Sequence, residues 1–208
     1  MHIALVGDSI FANAAYTGRE PDVVSHLRAL LPTTATATLC AVDGATVSDI
    51  ALQLQTVPHT ATHLVVSIGG NDALRHLDLL DLRVTSSFEA LSEFGRRIEM
   101  FERAYRDGVA LLLRLERPTT LCTIYNGRLE PAIARAAALG LALFNDVVLR
   151  TAVEHRLDVI ELRMVCNEPS DYANPIEPSG RGGLKIARAI LRATGAGPDG
   201  EHPARVWW

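Results

Sequence analysis

The chain has 208 residues, of which 48% are hydrophobic and only 5% aromatic, with a mean hydropathy of +0.15, so it is no disordered polymer and has enough apolar side chains for one well-buried domain. Its formal charge of -4, with basic residues scattered along the chain, lacks the footprint of a nucleic-acid binder and leaves small neutral or cationic ligands open.

In chain order, short β-branched or apolar runs alternate with longer amphipathic stretches, the pattern of βαβ units and a parallel sheet. The first run is His2 to Val6. Neither the basic region nor the long apolar region of a secretory leader is seen there, and no apolar run is read as long enough to span a membrane, so a cytoplasmic protein without a membrane partner is expected. A helix is expected over 19–31, a strand from Ala35 to Val42, a helix over 46–55 and a strand from His63 to Ile68. In the stretch 86–115, Phe88, Leu91, Phe94, Ile98, Phe101, Tyr105, Val109 and Leu112 recur at i, i+3 or i+4, so the whole face is assigned to the core.

Thr119 to Tyr125 reads as a fourth strand, and 129–154 as an Ala/Leu-rich helix with Pro131 in its first turn. Leu157 to Leu162 is the fifth strand. The segment 163–180, with Pro169, Pro175 and Pro178, reads as an ordered loop before a last helix over 180–194, whose Arg181 and Lys185 are assigned to solvent. These elements make one domain over 1–194. The tail 195–208 has the composition of a loose end, with Trp207 and Trp208 able to dock on a surface. Cys40, Cys122 and Cys166 show no metal or disulfide spacing and are expected as buried thiols.

The chemistry gathers where strands end. Gly7-Asp8-Ser9-Ile10 places a serine hydroxyl just beyond the carboxyl end of the first strand, where open α/β sheets bind ligands. By itself this serine is as readily a helix cap. Asp43-Gly44-Ala45-Thr46 follows the second strand and Gly69-Gly70-Asn71-Asp72 the third, so all three turns share one edge of the sheet. A nucleophile at Ser9, with the Ser9 and Gly44 amides and the Asn71 side-chain amide as donors, is what acyl transfer through an oxyanion requires.

These blocks resemble the SGNH (GDSL-type) hydrolases, whose signatures are a GDS near the N-terminus, an isolated Gly after strand two, a GxND after strand three and a DxxHP before the last helix. The resemblance covers roughly residues 2–194. It implies a flavodoxin-like three-layer α/β/α sandwich with a five-stranded parallel sheet, a serine hydrolase acting on a small-molecule ester such as an O-acetyl or short acyl ester, and no cofactor or metal. A transacylase would use the same residues.

The fourth block departs from the pattern. The chain has Asn174-Pro175-Ile176-Glu177-Pro178-Ser179, which aligns Glu177 with the family histidine and Asn174 with the aspartate. Three readings stay open: Glu177 is the base, oriented by Asn174 or a nearby backbone group; His76, five residues past Asn71, reaches in; or the base is gone and the protein binds an ester ligand without turnover. A flavodoxin-like phosphate binder is a further alternative, although GxxxxGK[ST] and GxGxxG turns are lacking. Asp8 and Asp72 are read chiefly as loop braces beside the substrate site. Asn126 is either a turn residue or a substrate contact, and Asp171 and Tyr172 are candidates to line the pocket.

Overall fold

The computed structural model describes residues 1–196; Trp207 and Trp208 lie outside the described residues. Five strands, β1 (His2–Gly7), β2 (Thr36–Leu39), β3 (His63–Ser67), β4 (Thr119–Cys122) and β5 (Asp158–Ile160), form one sheet in the order β2-β1-β3-β4-β5. Every pairing is parallel. All strand carboxyl ends therefore lie on one edge, as expected for a doubly wound sheet.

Side chains alternate across the sheet and separate two apolar layers. Ile3, Leu5, Val65 and Ile160 face α1 (Val23–Leu30), α6 (Leu162–Val165) and α7 (Gly180–Ala193). Ala4, Val6, Leu64, Val66 and Leu121 face the opposite layer, made by α2 (Ile50–Gln53), α4 (Ser87–Leu113) and α5 (Pro131–His155). The period of two along β1 and β3 thus gives each helix layer its own core. Asp22 Oδ1 accepts from Ser25 N and so caps the start of α1, and Pro131 opens α5 as expected.

Several element bounds differ from expectation for identifiable reasons. The helix expected over 46–55 is a series of short turns flanking α2, rich in β-branched and capping residues. A short helix not anticipated, α3 (Gly70–Leu74), begins on the Gly69-Gly70-Asn71-Asp72 block itself. The fourth strand ends at Cys122 rather than Tyr125. α5 is long and apolar enough to cross a membrane by length and composition, which corrects the expectation that no run is; it buries Phe144, Val147, Val148 and Ala152 against the sheet.

Helix length sets the shape above the sheet. α4 has 27 residues and α5 has 25, which at about 1.5 Å per residue makes each roughly 40 Å long, whereas the four residues of β4 span only about 13 Å. Both helices start at the carboxyl edge, and their buried residues lie mainly in their later halves: Phe101, Tyr105, Val109 and Leu112 in α4, and Phe144 to Ala152 in α5. Their first halves overhang the edge. Phe88 and Leu91 are accordingly 80% and 68% exposed, so the apolar face of α4 is core only from its middle onward.

Candidate active site

β1 ends in a backbone geometry that only glycine accepts. Gly7 has φ +138°, and a Cβ there would lie 1.8 Å from the Ser67 carbonyl oxygen of β3. This close approach lets Asp8 N donate to Ser67 O at 3.0 Å. Gln53, fully engaged from α2, holds the same residue from the other side: Gly7 N donates to its Oε1 at 2.8 Å and its Nε2 donates to Gly7 O at 2.7 Å. Ser9 is thus set two residues beyond a doubly clamped point, with its own amide making no hydrogen bond among the described residues.

The second and third turns are joined to each other. Asn71 Nδ2 donates to Ala45 O at 2.9 Å, leaving its second amide hydrogen uncommitted, and Val47 N donates to Asp72 Oδ2 at 3.1 Å. Asp72 therefore braces the Gly44 loop and does not line the cavity beside Ser9, whereas Asp8 lines it and braces its own turn, its Oδ1 accepting from Ile10 N at 3.1 Å. Gly44, at φ +76°, keeps its amide unbonded among the described residues.

Glu177 comes to Ser9 across 168 positions of sequence, and Ser9 Oγ donates to its Oε1 at 2.9 Å. Its loop is fastened from several sides. Ala173 N donates to Glu177 O, Asn13 Nδ2 to Pro178 O, and Tyr125 Oη to Ile176 O. Asn174 does not orient the carboxylate: its Oδ1 accepts from Ile176 N and Glu177 N, both at 2.9 Å, and so shapes the turn. Asp171 and Tyr172 are buried beneath the loop and do not line the cavity; Asp171 Oδ2 accepts from Lys185 Nζ at 2.8 Å, so Lys185 is an ion-pair partner and not a free solvated cation. Arg181 likewise pairs with Glu168.

Burial dominates the electrostatics. Desolvation, opposed by the Ser9 hydrogen bond and aided by nearby Asp43, pushes Glu177 up to about 7. Desolvation also pushes Asp8 up to about 8, against the Ile10 hydrogen bond and with help from Glu177 and Asp72. Among the described residues, Glu177 Oε2 is buried without a hydrogen-bond partner. His76 is not bonded to Ser9. Its Nδ1 lies 2.9 Å from Arg97 Nη1, its ring stacks on Phe144, and burial followed by the Arg97 charge holds its pKa below the ordinary imidazole value.

Ser9, Asn71 and Glu177 open onto one cavity of about 250 Å3, which Asn126 also lines and Gly44 does not. Among the described residues no three His, Cys, Asp or Glu side chains group as metal ligands, and the three cysteines are buried free thiols. Sequence reasoning missed Gln53, Asn13 and Asn145; the last clamps Ile124, beside the cavity, with paired bonds of 2.7 and 2.8 Å.

The model of the GDSL-like lipase/acylhydrolase family matches residues 5–182. The chain belongs to that family. As a member it is an ester hydrolase with the expected parallel α/β fold. No curated protein matches it. Among solved structures, an α/β hydrolase from the metagenome of Lake Arreo is similar at TM-score 0.71 and 22% identity, covering 95% of this chain and 96% of its own. An acetyl-xylooligosaccharide esterase from Geobacillus superposes at TM-score 0.67 and 19% identity, with 93% and 94% covered. Phospholipase A1 from Streptomyces albidoflavus does so at TM-score 0.68 and 13% identity, with 92% and 98% covered. At these identities the likeness is one of fold.

Proposed function

We propose that this family member hydrolyses carboxylic esters through an acyl-Ser9 intermediate, with Glu177 as general base. The observation that carries the reading is the buried 2.9 Å hydrogen bond from Ser9 Oγ to Glu177 Oε1. A glutamate at its ordinary pKa is a poor base for an alcohol, whereas one raised to about 7 is half ionised at neutral pH and holds a proton more firmly once it has it.

As Ser9 Oγ bonds to the ester carbonyl carbon, its proton passes to Glu177 Oε1 and the carbonyl electron pair moves onto oxygen. The unbonded amides of Ser9 and Gly44 and the second hydrogen of Asn71 Nδ2 are the donors for that oxyanion. Collapse breaks the bond to the alcohol oxygen, which takes the proton back from Glu177, and Ser9 is left acylated. Water then gives a proton to Glu177 and its oxygen to the acyl carbon; Ser9 Oγ departs with that proton and the carboxylic acid is released.

A fluorophosphonate probe tests the nucleophile, since only an activated serine reacts at a useful rate. The parent should be labelled at Ser9 and should turn over p-nitrophenyl esters, and Ser9→Ala should do neither. A parent inert to both would hand the site to the ligand-binding reading.

A further inference from the structure

The space beside Ser9 has a polar end and an apolar body. Asp8, Ser9, Asn71 and Glu177 crowd one end. The remainder runs under the overhanging first halves of α4 and α5, walled by Leu74, Phe94, Ile124, Ala137, Leu141 and Phe144. Away from the polar end the ionisable side chains on its lining are His76, whose Nδ1 lies 2.9 Å from Arg97 Nη1, and Tyr125, whose hydroxyl is spent on Ile176 O. The wall therefore offers little that would replace water around a sugar hydroxyl or a charged group. Leu77 and Ile133, 50% and 46% exposed, border the cavity on its solvent side.

We infer that this cavity takes the acyl chain of the ester, and that the substrates are medium-chain acyl esters rather than acetyl esters. The inference rests on the acyl-Ser9 reading, because the apolar body begins at the nucleophile and not at a separate mouth. Its volume of about 250 Å3, set beside the roughly 150 Å3 apolar cavity that accepts the six carbons of benzene, corresponds to about eight to ten carbons. An acetyl group would leave most of that apolar surface in contact with water. Each methylene buried there multiplies kcat/KM by up to about fourfold, provided that the transition state retains the contact. The octanoyl ester should therefore exceed the acetyl ester by at least about 100-fold.

The test is a series of p-nitrophenyl esters from two to sixteen carbons, run on the parent and on Ala137→Phe, which intrudes on the apolar body from α5. Gly140→Leu, on the same wall, serves if the first variant fails to fold by circular dichroism. The parent should peak near eight to ten carbons, and the filled variant should lose at least about tenfold in its octanoyl-to-acetyl ratio. An acetyl optimum, or a ratio that filling leaves unchanged, overturns the acyl-chain assignment while leaving the hydrolase reading intact. Binding of methyl octanoate and methyl acetate to Ser9→Ala, followed by ligand-observed NMR, separates the two ideas. If the parent cuts no ester but Ser9→Ala binds the octanoate alone and the filled variant abolishes that binding, the hydrolase reading fails and the occupant stands. Absence of both turnover and binding overturns both.

Discussion

Glu177 meets Ser9 through one carboxylate oxygen only: Oε1 accepts the hydroxyl at 2.9 Å, while Oε2 is buried and, among the described residues, unpartnered. A histidine in a serine triad is steadied by a carboxylate, whereas this glutamate is held through its backbone, and burial, which raises its pKa, disfavours its charged form. The consequences for rate and stability can be separated.

The acid limb of kcat/KM should have an apparent pKa of about 7, the value to which burial pushes Glu177 in the free protein. An ordinary imidazole gives a similar limb, so the pH profile is paired with Glu177→Gln, which keeps the shape and removes the base. That variant should lose at least about 100-fold in kcat and its acid limb together. Parent-like turnover by it would make another group the base.

Asn71→Ala should lower kcat by about 100- to 1000-fold with little change in KM, the usual cost of one donor that acts on the oxyanion. Steady-state kinetics on a single activated ester decides this. A loss confined to KM would assign Asn71 to ground-state binding.

Asn174→Ala should cost a few-fold in kcat through a looser turn, and Asn174→Asp should restore it, because the role of Oδ1 is to accept from Ile176 N and Glu177 N and an aspartate oxygen accepts equally well. Neither change should move the acid limb by more than a few tenths of a pH unit. A large displacement would mean that the side chain acts on the carboxylate directly.

Two buried carboxyls with raised pKa values bind protons more tightly folded than unfolded. Their contribution is therefore most favourable at low pH and is lost as pH rises, between the ordinary carboxylate range and about 7 for Glu177 and about 8 for Asp8. Chemical denaturation should show stability declining across that interval. Glu177→Gln should flatten part of the decline and be more stable than the parent at pH 8, by up to about 3 kcal/mol at roughly 1.4 kcal/mol per pKa unit. A variant less stable than the parent at pH 8 would contradict the desolvation account.

The residues legible in the sequence were those bound to a strand end or a turn. Ser9, Asn71 and Glu177 each sit where a parallel strand stops or the last helix is about to begin, and topology alone brings such positions to one edge. Phe88 and Leu91 misled because helical periodicity reports which way a residue faces, but not whether a sheet lies beneath it. The cavity was hidden for the same reason, as it arises from a difference in length between helices and strands. Gln53 and Asn145 gave no signal, since a lone amide within a helix becomes a clamp only once a strand end is beside it. Asn174 was found by alignment, but its role follows from a turn two residues long that no spacing rule distinguishes from a catalytic partner.

The 168 positions between Ser9 and Glu177 also order events in time. During synthesis Ser9 is made well before Glu177, and Pro178, held by Asn13, depends in turn on the segment that leads into α7. The two ends of the dyad meet only after the sheet between them has been assembled, through the kind of distant contact that forms slowly. A growing chain on the ribosome therefore lacks the hydrogen bond between Ser9 and Glu177 until nearly the whole domain has emerged. On the proposed mechanism, fluorophosphonate reactivity at Ser9 should therefore report completed folding, readable in a lysate without purification.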